Sequence, residues 1–132
     1  MAKKPQPRDG AMPVIFVVDD EPMLLDLLEL ILVPEGFDLR RYEDPRRAIA
    51  EYAALQPPPS LVITDYAMAG ANGLDVMRAC RKLNPNQKII LVSGTVDETV
   101  YANSDVKPDI FIPKPYNTDS LVATVRQLTG HQ

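Results

Sequence analysis

Short apolar runs alternate along the chain with longer amphipathic stretches. Val14-Ile15-Phe16-Val17-Val18 has no polar break, and Leu61-Val62-Ile63-Thr64, Ile89-Ile90-Leu91-Val92 and Ile110-Phe111-Ile112 repeat its character. Runs of this length, rich in β-branched residues, suit parallel strands buried on both faces. Residues 37–42 are more polar and predict an outer strand.

Helical spacing fills the gaps. Met23, Leu24, Leu27, Leu28, Ile31 and Leu32 recur at helical spacing, with Pro22 suited to the first turn and Gly36 to the end. Asp44 and Pro45 predict an N-cap and first turn for a helix through Ala54. Gly73 to Leu83 places Leu74, Met77, Cys80 and Leu83 on one stripe, and Thr118 or Asp119 is expected to cap a last helix holding Leu121, Val122, Val125 and Leu128. Residues 96–104 predict a weaker helix, polar in content and followed by Asn103-Ser104-Asp105. Pro57-Pro58-Pro59 is a stiff connector between helix and strand. Five such alternations, without internal repeats, predict an α/β fold: an open five-stranded parallel sheet with five helices covering both faces.

At 132 residues the chain is one domain, with residues 1–12 read as a flexible N-terminal tail, 13–130 as the folded unit and 131–132 as a C-terminal tail. Lysine and arginine number 14 against 18 acids, a net charge of −4, which does not favour non-specific binding to nucleic acid or anionic membrane. The single cysteine, Cys80, excludes an intrachain disulfide and is most simply a small core residue; the single histidine, His131, argues against a histidine-rich metal site or a histidine relay. No apolar run reaches the roughly 18 residues of a membrane span. The run after Pro13 is also shorter than the roughly 7–15 residues of a secretory signal's apolar region. A cytoplasmic location is therefore expected.

In open parallel sheets, ligands bind beyond the carboxyl ends of the strands. Those ends carry Asp19-Asp20-Glu21, Asp65, Ser93-Gly94-Thr95 and Pro113-Lys114-Pro115. Asp19, Asp20 and Asp65 brought together as bare anions would raise at least one pKa, and a hard divalent cation relieves this. Carboxylates without a Cys/His cluster suit magnesium rather than zinc. Lys114 can hold a phosphoryl oxygen as a point charge, and Ser93 can donate a hydrogen bond to another. The assembly reads as an aspartate that accepts phosphate. Plainer roles stand beside these: acidic pairs cap helices, Asp65 or Ser93 can serve a turn, Phe111 can be core, Lys114 can be a solvated surface lysine, and Arg40, Arg41, Arg46 and Arg47 can be a solvated face rather than a partner patch.

Across residues 14–129 the sequence resembles the receiver domain of two-component response regulators, including chemotaxis-type single-domain receivers. The matching motifs are Val18-Asp19-Asp20-Glu21-Pro22, Thr64-Asp65-Tyr66-Ala67-Met68 with Gly73, Val92-Ser93-Gly94, and Phe111-Ile112-Pro113-Lys114-Pro115-Tyr116. The resemblance implies a flavodoxin-like three-layer sandwich with strand order 2-1-3-4-5. It also implies Asp65 as phosphoacceptor and Asp20, Asp19, Asp65 and the Ala67 backbone carbonyl as Mg2+ ligands, with Mn2+ able to substitute. Lys114 is then the lysine before an often-cis proline, Ser93 the switch hydroxyl and Phe111 the switch aromatic. Two departures stand out: Ala69 replaces a common proline, and Val106-Lys107-Pro108 replaces a small Gly-Ala pair before the last strand.

The function implied is Mg2+-dependent transfer of phosphate from a histidine kinase or histidine phosphotransfer protein to Asp65. The protein then acts as a signalling switch that catalyses its own phosphorylation and dephosphorylation. A downstream effector would read the face of the fourth helix, fifth strand and fifth helix, through which relatives commonly dimerise. An alternative is a small Mg2+-dependent phosphohydrolase with an aspartyl-phosphate intermediate. Its nucleophile and acid would normally stand as Asp-x-Asp, not as the adjacent aspartates found here. A third is an interaction module without a working site.

Overall fold

A computed structural model describes residues 12–131. Strands β1 (Val14–Val18), β2 (Asp38–Tyr42), β3 (Leu61–Asp65), β4 (Ile89–Ser93) and β5 (Ile110–Pro113) alternate with helices α1 (Pro22–Leu32), α2 (Pro45–Ala54), α3 (Gly73–Leu83) and α4 (Thr118–Thr129). The strands form one parallel sheet in the order β2-β1-β3-β4-β5. The polar β2 is an edge strand, as its composition predicts. Among the described residues no helix is long and apolar enough to cross a membrane.

Alternation along each strand feeds two cores. Ile15 and Val17 point to one face with Leu61, Ile63, Ile90 and Val92, where Leu25, Leu28 and Leu32 of α1 and Leu121 and Val125 of α4 cover them. Phe16, Val18, Val62 and Ile89 point to the other, under Ala48 and Tyr52 of α2 and Val76, Met77 and Cys80 of α3. Each fully buried large aliphatic side chain contributes about 1.5–3 kcal/mol relative to exposure.

The helix starts follow local chemistry. Asp44 caps α2 by accepting from Arg46 N at 2.9 Å, with Pro45 in the first turn. Asn72 and Asp75 form a reciprocal capping box on α3. The cap of α4 is Asn117, accepting from Ser120 N, rather than Thr118 or Asp119. Asn117 is the last extended residue, and the two expected caps already lie inside the first turn.

The inward faces of two helices differ from expectation. The buried face of α1 is Leu25, Leu28 and Leu32, while Met23 is 81% exposed, Leu30 75%, and Leu27 also faces outward. The segment is apolar around most of its circumference, so spacing alone does not select the inward face. On α3, Val76 is buried and Leu83, the last residue, is 61% exposed.

The largest difference is the helix count, four among the described residues instead of five. Where residues 96–104 predict a helix, only a four-residue 3-10 turn forms, Glu98–Tyr101, capped by Asp97 through Thr99 N. β-Branched Thr95, Val96, Thr99 and Val100 disfavour a helix, and Ser104 turns the chain by accepting from Val106 N. Val106 is then buried in the core beside α3.

His131, expected in a tail, packs its ring edge against Phe37 with centroids 4.9 Å apart. It lies over Gly36, whose positive φ of 99° ends the 3-10 extension of α1 (Val33–Glu35). The expected tail at residues 1–12 lies outside the described residues except for Met12.

Candidate functional site

The carboxyl ends of β1, β3, β4 and β5 bring Asp19, Asp65, Ser93 and Lys114 to one edge. Asp65 ends β3 between β1 and β4, so its carboxylate emerges from the centre of the sheet. One carboxylate oxygen from each of Asp19, Asp20 and Asp65 lies within 4.8 Å of the others. Asp19 and Asp65 are buried and Asp20 is exposed.

Lys114 reaches into this cluster from the end of β5. Its backbone N donates to Ser93 O at 2.9 Å, extending the β4–β5 pairing by one residue. Its Nζ lies 2.9 Å from Asp19 Oδ2, 3.3 Å from Asp65 Oδ1 and 3.6 Å from Glu21 Oε1, and the side chain is only 13% exposed. The Lys114-Pro115 peptide is cis, as is Gln56-Pro57. The plain reading of Lys114 as a solvated surface lysine does not hold.

Burial, then the neighbouring Asp19 charge, pushes the Asp65 carboxyl up to about 6 despite Lys114. Burial alone would lower the Lys114 ammonium. Its hydrogen bond to Asp19 and the charges of Asp19 and Asp65 outweigh burial and raise it. One cation thus serves two buried carboxylates, and Asp20 has no cationic partner among the described residues. The donor set is all oxygen, with no cysteine or histidine beside it, and fits a hard divalent cation rather than zinc.

Asp19 also accepts from Glu21 N at 3.0 Å, so it orders the entry to α1 as well as facing Lys114. Asp20 accepts from Ala69 N at 3.3 Å, across the loop between β3 and α3. Spacing does not reveal this contact; the only signal for it is Ala69 itself, since proline at that position has no N–H to give. Ala67 lies two residues past Asp65 and is exposed.

Gly73 opens α3 where a side chain has no room. A Cβ there would sit 2.5 Å from Asp65 O and 2.6 Å from Leu91 Cδ1. Its N–H closes the loop on Tyr66 O at 2.8 Å.

Ser93 is engaged in a turn, accepting from Thr95 N and Val96 N, both at 3.1 Å. Phe111 is half-buried, its ring centroid 6.2 Å from that of Tyr101 in the 3-10 turn. Of Arg40, Arg41, Arg46 and Arg47, three form ion pairs: Arg41 with Asp26 and Glu29, Arg40 with Asp38, and Arg46 with Asp44. Cys80 is buried, as expected of a core residue.

Known proteins resemble this chain in both sequence and fold. The family model described as response regulator receiver domain matches residues 15–126. The chain is 34% identical over 112 residues to the DNA-binding response regulator MtrA of Mycolicibacterium smegmatis, covering 85% of this chain and 48% of that protein. It spans about half the length of the curated relatives it matches. Among solved structures, the response regulator protein TrrA from Thermotoga maritima, in complex with Mg(2+)-BeF, is 33% identical. That match covers 89% of this chain and 99% of TrrA, with a TM-score of 0.76. A CheY-like receiver domain protein from Methanospirillum hungatei shares the fold at a TM-score of 0.80 and 23% identity, over 91% of this chain and 95% of its own. With its family model spanning most of the sequence and its strand order matching, the chain belongs to the response regulator receiver domains of two-component systems.

Proposed function

We propose that this domain is a working phosphoacceptor switch, in which Asp65 takes a phosphoryl group from a partner's phosphohistidine. The observation that carries this reading is Lys114 Nζ seated between Asp19 and Asp65 at the carboxyl edge of the sheet. In the transfer, an Asp65 carboxylate oxygen forms a bond to phosphorus as the P–N bond breaks. The electron pair stays with the departing imidazole nitrogen, which takes up a proton.

Asp20, Asp19, Asp65 and the Ala67 carbonyl would hold the Mg2+ ion, for which Mn2+ can substitute. When bound, that ion supplies positive charge opposite the phosphoryl oxygens. Lys114 provides a second positive charge, already positioned and partly desolvated. The Mg(2+)-BeF in the TrrA structure supports the same assignment here. Hydrolysis at the same site returns the domain to its starting state.

His131 does not serve as the donor within the chain. It packs on Phe37, which precedes β2, at the opposite end of the sheet from Asp65. The phosphohistidine comes from a histidine kinase or phosphotransfer protein in the cytoplasm. Ser93 then leaves its turn bonds for a phosphoryl oxygen, Phe111 turns inward, and the surface of the 3-10 turn, β5 and α4 presents the response to an effector.

The direct test is incubation with Mg2+ and acetyl phosphate, followed by intact-mass measurement. One phosphoryl group is expected on wild type and none on Asp65→Asn. Absence of added mass on wild type, or equal labelling of both proteins, overturns the reading.

A further inference from the structure

Of the three clustered carboxylates, Asp20 is the one that Lys114 does not hold. Its carboxylate nevertheless has a backbone partner. Oδ2 accepts the backbone N–H of Ala69 at 3.3 Å, a contact spanning 49 positions of sequence. The loop that presents this N–H is fixed at both ends. Tyr66 N donates to Val92 O at 2.9 Å, Gly73 N returns to Tyr66 O at 2.8 Å, and the Asn72–Asp75 capping box locks the start of α3. Within the loop, Gly70 adopts a φ of 93° with its α-carbon face against the Arg46 guanidinium.

The geometry points to Ala69 as a positioning residue whose backbone amide orients Asp20 for divalent-cation binding. The side chain is irrelevant to this role; the N–H is what counts, and any residue except proline supplies it. A carboxylate has two oxygens and about four lone-pair sites, so an amide on Oδ2 leaves capacity for a cation and limits the rotamers lost when one arrives. Hydrogen bonds of this kind to ligating carboxylates commonly contribute to metal affinity. The same contact ties the β3–α3 loop to the end of β1, so Asp20, in holding a cation, would also steady the loop that follows Asp65. This inference rests on reading the acidic cluster as a magnesium site.

The test is calorimetric titration of the whole chain with MgCl2. Ala69→Pro removes the N–H, and Ala69→Ser keeps it while changing the side chain. Wild type and Ala69→Ser are expected to bind alike, and Ala69→Pro about tenfold more weakly. Equal affinity in all three overturns the role of the amide but leaves the magnesium site standing. No binding by wild type overturns both. Should Ala69→Pro fail to fold, amide exchange followed by NMR gives an independent readout. The Ala69 N–H is expected to exchange slowly in wild type and faster in Asp20→Ala, and equal rates overturn the inference.

Discussion

Lys114 Nζ lies 2.9 Å from Asp19 Oδ2 and 3.3 Å from Asp65 Oδ1, so a single ammonium compensates two buried carboxylates at the carboxyl ends of different strands. Removing one partner of a buried ionic group leaves its neighbours' charge unpaired, which is costlier than the pair is worth. Lys114→Met is therefore expected to destabilise the metal-free protein at pH 7.5 by on the order of 3 kcal/mol. The loss should shrink near pH 5, where Asp65 takes a proton instead. Urea denaturation in the presence of a chelator measures both values, and a variant as stable as wild type at pH 7.5 would contradict the arrangement.

Asp65 itself gives a pH signature. Its carboxyl is pushed up to about 6 by burial and the Asp19 charge, so the folded state binds a proton more tightly than the unfolded chain does. The sign follows from linkage: this contribution is fully present below the ordinary value of 3.8 and is lost as the pH rises through about 6. Relative to Asp65→Asn, which does not titrate, metal-free wild type should lose up to about 3 kcal/mol of stability over that window. The raised Lys114 value adds stability that persists below the ordinary lysine range, so it does not oppose the trend within this window. Parallel stability–pH curves for the two proteins would refute the assignment.

How far the sequence foretold the site depended on the kind of interaction. Asp19, Asp65, Ser93 and Lys114 each follow an unbroken apolar run, and the parallel sheet brings such positions together without further information. The inward face of α1 was not legible because Met23, Leu27 and Leu30 are as apolar as the Leu25, Leu28 and Leu32 that are buried. The 3-10 turn at Glu98–Tyr101 was read as a helix because its polar residues carry no periodicity against which to test the assignment. The Ala69 amide was invisible for a different reason: backbone donors have no residue type, and only the departure from proline hinted that one exists there.

Gly73 links the packing of α3 to the position of the acceptor. A methyl group there would meet the carbonyl oxygen of Asp65 and the side chain of Leu91, and the backbone oxygen cannot rotate away as a flexible side chain would. Gly73→Ala is expected to cost about 1–3 kcal/mol, the usual range for overpacking a close-packed site. Phosphoryl uptake by Asp65 should slow as well, because the relief must come from moving its backbone. Thermal denaturation and the intact-mass time course report the two effects separately, and an unchanged melting temperature would mean that α3 shifts at no cost.

Under the proposed function, Ser93→Ala should separate phosphoryl uptake from its structural consequence. Its hydroxyl oxygen accepts from Thr95 N and Val96 N, anchoring the segment that leads to the 3-10 turn and to the Tyr101 ring beside Phe111. Loss of a capping oxygen typically costs about 1 kcal/mol, and Ser93→Ala should be destabilised by that order. The acceptor carboxylate and Lys114 do not depend on this hydroxyl for their positions, so acetyl phosphate should still label Asp65, although the phosphoryl group loses one donor. What should disappear is the coupling. In wild type, phosphorylation is expected to draw Ser93 out of the turn, free the Thr95 and Val96 amides and shift the Tyr101 and Phe111 resonances. In Ser93→Ala those amides have already lost their acceptor, and the phosphoryl group has no Ser93 hydroxyl to recruit. NMR spectra before and after labelling distinguish the cases: equal aromatic shifts in the two proteins would place the switch somewhere other than Ser93.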